Sequence, residues 1–254
     1  MRVPFTIDQF LDVFRRYNVG VWPAQWVLVM LAGVAIVLAV RDGPTGRRWV
    51  IAILAVLWFW MAAVYHLAFF ASVNRVAVPF AGAFAIQSGL FTWLAFRATP
   101  PSDTPRSSAA TVIGTLFTVY ALLVYPALGY LLGHRYPAAP TFGVPCPTTI
   151  FTLGLLVWLG ESIPRWFFVV PIAWAVVATS AAMTLGMTED FGLLAAALVS
   201  VAWLIMRPAG PTSFVGPRHV LRGRRITPSP WPQDSDSYPT RTARSRSTCP
   251  SAAS

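Results

Sequence analysis

The residues able to do chemistry in this 254-residue chain are few and scattered. His66, His134, Cys146 and the Glu189–Asp190 pair are of types that ligate transition metals. No HxxxH, CxxC or HxxE spacing joins them, so each ligand would come from a different helix. A metal or haem site, if any, would draw on His66, His134 and Cys146. Hydrolytic signatures are missing: there is no GxSxG, no HExxH and no paired intramembrane Asp. All 19 basic residues are Arg, which excludes a Schiff-base lysine and a Walker A lysine. The two cysteines, Cys146 and Cys249, form no disulfide framework. The sequence specifies no cofactor.

The elements that must position these residues are membrane helices. Hydrophobic residues make up 56% of the chain and charged residues 11%, where a soluble domain carries about 25%. Mean hydropathy is +0.61. The expected fold is all-α: a polytopic membrane helical bundle of about seven transmembrane helices, preceded by an amphipathic helix at the interface. Three parts follow: a head (1–21), a membrane domain (22–206) and a tail (207–254). In the head, Thr6 with Gln9 fits a capping box and Phe5 with Phe10 a hydrophobic staple. Ile7, Phe10, Leu11 and Phe14 share one face, which suits either the membrane interface or packing on the bundle.

The candidate spans are Val21–Val40, Trp49–Ser72, Val76–Phe96, Ala109–Leu132, Thr148–Leu159, Trp166–Leu185 and Phe191–Met206. A crossing helix needs roughly 20 apolar residues, and the fifth has only twelve before Gly160-Glu161. It crosses if it begins near Pro145-Cys146-Pro147; the alternative is a re-entrant segment. Small residues four apart, Ala81/Ala85/Gly89 and Ala178/Ala182/Gly186, predict close helix crossings.

Arginine placement orients the bundle. With the head outside and the tail inside, fourteen Arg fall inside and five outside. Eight of the fourteen lie in the last 48 residues, where Arg218, Arg222, Arg224 and Arg225 form a basic lipid-anchoring cluster. Beyond that cluster, Pro, Ser, Thr and Arg dominate and predict disorder. A membrane-tethered tail of this size is a poor reader of nucleic acid.

Polar residues in apolar spans are expensive, so their distribution is informative. On this topology Gln25, His66, Asn74, Arg75, His134, Arg135, Cys146, Glu189 and Asp190 gather toward the outer face from five helix ends. Gln87 alone sits near mid-membrane. Glu161 and Arg165 lie on the other side, spaced to pair with each other. Structural readings stand beside the functional one. His66 and Gln87 suit cross-helix hydrogen bonds. Glu189-Asp190 suits a helix N-cap, and Tyr125 and Tyr130 suit an aromatic belt.

The stretches Gly133-His134-Arg135-Tyr136-Pro137 and Phe142 through Phe151, with Tyr17-Asn18 and Trp22-Pro23-Ala24-Gln25, carry a resemblance. Together they resemble a family of uncharacterised bacterial multi-pass membrane proteins, classed only as a domain of unknown function. The resemblance covers about residues 4–206 and leaves out the tail. It implies a bacterial inner-membrane protein and supplies neither an activity nor catalytic residues.

Three function classes remain. The first is an accessory or assembly subunit of a membrane complex, favoured by the absence of chemistry and the short loops. The second is a small-solute permease or channel. The third is a membrane-embedded metal or haem protein with an external polar site. The expected partners are the lipid bilayer and other membrane subunits or further copies of the chain.

Overall fold

The computed structural model describes residues 5–97, 107–160 and 163–207. By contacts the chain divides into Met1–Pro211 and Thr212–Ser254, and the second unit lies outside the described residues. So does the basic cluster Arg218, Arg222, Arg224 and Arg225.

Helix α1 (Ile7–Gly20) starts as its sequence dictates. The Gln9 backbone N–H donates to Thr6 Oγ1 (3.3 Å) and the Thr6 N–H to Gln9 Oε1 (2.9 Å). Phe5 stacks on Phe10 with ring centroids 5.6 Å apart, closing the staple. The helix packs on the bundle: Val13, Phe14, Tyr17 and Asn18 are buried, with Phe14 and Tyr17 against Tyr65 and Tyr17 also against Phe69.

Among the described residues, six helical runs are long and apolar enough to cross a membrane. They are α2 (Ala24–Arg41); α3 (Pro44–Trp60) with its continuation to Ser72; α4 (Ala77–Phe96); α5 (Ser108–Val119) with α6 (Tyr125–Leu131); the run Arg165–Leu185, which holds α8 (Val169–Leu185); and the run Thr188–Met206, which holds α9 (Phe191–Met206). Their outer surfaces carry Trp26, Met30, Val56, Ile86, Leu116, Val176 and Leu198, all exposed. So much exposed apolar surface is stable only against lipid. This is an integral membrane protein.

The seventh helix, α7 (Pro145–Leu159), differs. At 15 residues it is about 22 Å long, short of the roughly 30 Å hydrocarbon core. Every residue in it except Cys146 is buried. A helix apolar all round belongs at the centre of a bundle. Its threonines carry the polar contacts: Trp58 Nε1 donates to Thr152 Oγ1 (3.0 Å), and Thr152 Oγ1 to the Thr148 carbonyl (2.7 Å). It still joins the two ends of the bundle. Cys146 at its start adjoins Asp190. At its far end the Arg207 guanidinium donates to the carbonyls of Gly160 (3.4 Å) and Ile163 (3.1 Å).

Two runs pass through wide π turns. Met61–Phe69 carries Tyr65 and His66, and Tyr120–Val124 leads into Tyr125-Pro126, where proline removes an amide donor. The second span starts at Pro44, five residues before the expected Trp49, because the α2–α3 turn is short. Asp42 adopts a left-handed conformation there and accepts from Arg47 Nε (3.0 Å) and a terminal guanidinium nitrogen (2.8 Å).

The small-residue pattern points to the wrong crossing on α4: Ala85 and Gly89 are exposed there. The tight contact joins α5 to α7. A Cβ on Gly114 would lie 2.7 Å from Trp158 Cβ and 2.9 Å from the Gly154 carbonyl oxygen. One on Gly154 would meet Phe117 Cβ at 2.9 Å. Gly114 has Ala110 four residues before it, but Gly154 is flanked at that spacing by Ile150 and Trp158, so the spacing rule passes over the α7 side of the contact. Gly114→Val should destabilise the bundle by about 2 kcal/mol or more, read from denaturant unfolding in detergent; wild-type stability would contradict this packing.

On the exposed face of α1, Asp12 pairs with Arg15 and with Arg16 (3.1 Å). The hydrogen bond from Arg15, aided by both positive charges, holds the Asp12 carboxyl below its usual range. Its support for α1 is therefore full above the ordinary carboxylate value of about 4 and is lost as pH falls through the lowered one. Amide protection factors across α1 should drop between about pH 7 and about pH 2. Asp12→Asn should remove this share of the drop.

Candidate functional site

The outer-face residues named from sequence do not form one site. The structure distributes them over a polar network, an aromatic cage and a cleft.

The network centres on Asn18, on the buried face of α1. Its Nδ2 donates to the carbonyls of Pro137 and Ala139, both at 2.7 Å. Its Oδ1 accepts from Thr141 Oγ1 at 2.7 Å, and its carbonyl accepts from Gln25 Nε2 at 2.7 Å. Beside it, Trp60 Nε1 donates to the Tyr17 hydroxyl (2.8 Å), and burial raises the Tyr17 phenol above its usual value. The loop that Asn18 holds leads into α7.

A second group surrounds Glu189 and Asp190, which are 0% and 4% exposed. His134 Nδ1 and Glu189 Oε1 are 2.7 Å apart, and Tyr120 donates to the Glu189 carbonyl (2.9 Å). Tyr125 donates to Asp190 Oδ1 (2.6 Å), and the Cys146 thiol lies beside the same carboxylate. Asp190 stands at the N-cap of α9 but makes no side-chain cap bond, because Tyr125 takes its oxygen. Tyr125 is accordingly buried and no part of an aromatic belt, whereas Tyr130 is exposed and holds the Arg135 guanidinium 5.0 Å above its ring.

His66 stands apart. It is fully buried among Tyr65, Phe70, Phe80, Phe84 and Trp174, and neither ring nitrogen has a hydrogen-bond partner. The expected cross-helix hydrogen bond is thus replaced by ring packing. Among the described residues, no three of His, Cys, Asp and Glu are placed to hold a metal ion. Asn74 is half-buried and its Oδ1 accepts from the Val76 N–H (3.1 Å), while Arg75 is exposed. Gln87 is fully buried, its Nε2 donating to the Phe167 carbonyl (3.1 Å). Arg165 donates to the Arg207 carbonyl (3.0 Å); its expected partner Glu161 lies outside the described residues.

Between α1 and α8 lies a cleft of about 250 Å³. Phe5, Phe10 and Phe14 form one wall and Trp174 with Ala178, Ala181 and Ala182 the other. Tyr65, Phe70 and Phe80 close it from behind. Its few polar side chains are Tyr65, Asn74, Cys146, Ser180 and Asp190. Val76 and Val177, both exposed, open it onto the outer surface of the bundle.

The residues that sequence reasoning missed are Asn18, Tyr17, Tyr120 and Trp174. Asn18 carried a signal: it falls four residues after Phe14, on the apolar face of an amphipathic helix, where a polar side chain must find partners. Asn18→Ala leaves two part-buried carbonyls without their donor and should cost about 2 kcal/mol. His134→Ala, which strands Glu189, should cost a similar amount. Arg135→Ala should cost under about 0.5 kcal/mol. Denaturant unfolding of the three variants would expose any other ranking.

Neither a curated protein nor a solved structure matches this chain. One family does match, over residues 7–211, which takes in α1, all the spans and every residue of the cleft except Phe5. The chain belongs to that family, the family of unknown function DUF6064.

Proposed function

We propose that this protein is a bacterial inner-membrane protein, head outside and tail inside, that serves a membrane process as a non-enzymatic accessory component. Its working part is the outer end of the bundle, where the cleft receives a small, largely apolar ligand. The observation that carries this reading is the cleft itself. It is concave, aromatic-lined and reached from the apolar flank of the bundle, and a few polar groups at its floor fix orientation, as ligand sites commonly do. The bias of Arg toward the other end of the bundle supports the orientation.

Two features favour binding over solute passage. The centre of the bundle is filled by α7, and Gln87, the polar residue at mid-depth, is tied to the Phe167 carbonyl. A metal or haem role would need His66, His134 and Cys146 to converge, and among the described residues they do not.

Native mass spectrometry of the protein gently extracted from its own host should find one small apolar mass per chain. The mass should be absent from Ala181→Trp, whose indole would fill the cleft. An empty wild-type chain would overturn the ligand reading, and protein-dependent solute flux into liposomes would restore the permease. Orientation is checked with a membrane-impermeant maleimide on whole cells in a Cys146→Ala, Cys249→Ser background. Arg135→Cys should label and Arg97→Cys should not; the reverse pattern would place the head inside.

A further inference from the structure

The cleft is apolar and aromatic on all sides, yet a carboxylate stands at its floor. Asp190 is 4% exposed. Tyr125 and Cys146 give it hydrogen-bonding neighbours but no charge. No basic residue lines the cleft among the described residues, and none forms an ion pair with Asp190. The nearest candidate, His134, is bound to Glu189 instead. A buried carboxylate without a counter-ion is costly, and an ion brought into the cleft would relieve that cost.

The walls suit such an ion. Trp174, Tyr65 and Phe80 line the cleft, and aromatic rings, Trp best of all, attract cations strongly where water is excluded. The volume sets the size. An apolar cavity of about 150 Å³ admits benzene, so one of about 250 Å³ takes a ring with a short chain. The mouth, at exposed Val76 and Val177, sets the route: a ligand arriving past these side chains comes through lipid and needs an apolar body.

Resting on the ligand reading above, we propose that the cleft selects a small lipophilic cation, an ammonium group carried on one ring or a short chain. Asp190 takes the charge and the aromatic walls, Trp174 foremost, take the body.

The test is equilibrium binding of 4-phenylbutyltrimethylammonium to the full chain in phosphatidylcholine nanodiscs, corrected with empty discs. Its neutral isostere, with carbon in place of nitrogen, is measured beside it. The cation should bind at one site per chain, at least about tenfold tighter than the isostere. Asp190→Asn should abolish that preference and leave isostere binding unchanged. Trp174→Leu should narrow it several-fold, and carries the test if Asp190→Asn fails to fold. Ala181→Trp should remove both ligands. Equal binding of the two probes, or a preference that survives in folded Asp190→Asn, overturns the proposal while leaving the ligand reading in place. Binding of the isostere alone does the same. If neither probe binds wild type, both readings fall.

Discussion

The shortness of α7 governs the end of the bundle at which that helix begins. At about 22 Å the helix cannot reach both surfaces of an average bilayer, so the chain must descend into the bundle to meet its first turn. The descending stretch is irregular, and Pro140, Phe142, Gly143 and Val144 are buried. Irregular backbone inside a membrane protein survives only where its N–H and C=O groups find partners. Asn18 supplies them for Pro137 and Ala139, and Thr148 Oγ1 accepts the Gly143 N–H at 3.0 Å. Gly143 itself has φ +104° and no room for a side chain: a Cβ there would collide with Leu28 and lie 2.9 Å from the Tyr17 hydroxyl. The head helix is thus bound to the bundle by a demand that arises more than a hundred residues later in the chain.

The same descent shapes the cleft. Val144, Pro145 and Cys146, where the chain enters α7, line it. The walls rise from α1 and α8. Asp190 reaches the cleft from the start of α9, and the wide π turn through Tyr120–Val124 precedes Tyr125, which meets the carboxylate. The π stretch on the second span does the equivalent for Tyr65 and His66. Tyr65 borders the cleft, and His66 sits behind it among aromatic rings.

Much of the architecture was legible in the sequence because hydropathy and helix capping are local. The spans, the capping box of α1 and the weakness of the fifth segment all follow from residues within a few turns of one another. What pairs with what is not local. Nothing near Tyr125 announces Asp190, 65 residues on, and nothing near Asn18 announces Pro137. Alternating span direction can assign residues to one end of a bundle, but it carries no lateral information. It therefore grouped His66 with His134 although the fold surrounds them with different partners. The π turns add a further obstacle, since each shifts the phase of the residues that follow and defeats projection at 3.6 residues per turn. The Gly114–Gly154 contact escaped for a related reason: Ala110 and Gly114 lie four apart on α5, but nothing local to them announces Gly154 of α7.

The cleft draws its walls from opposite ends of the chain order. Phe5, Phe10 and Phe14 are synthesised well before Trp174, Ala181 and Asp190, which follow more than 150 positions later. No intermediate of insertion can contain the cleft. Before α8 enters the bilayer, the aromatic face of the head can already meet Tyr65 and Phe70 of the second span, and only the α8 wall is missing. Closure of the cleft is therefore a late event in assembly, and an occupied cleft would mark a chain whose spans are all in place.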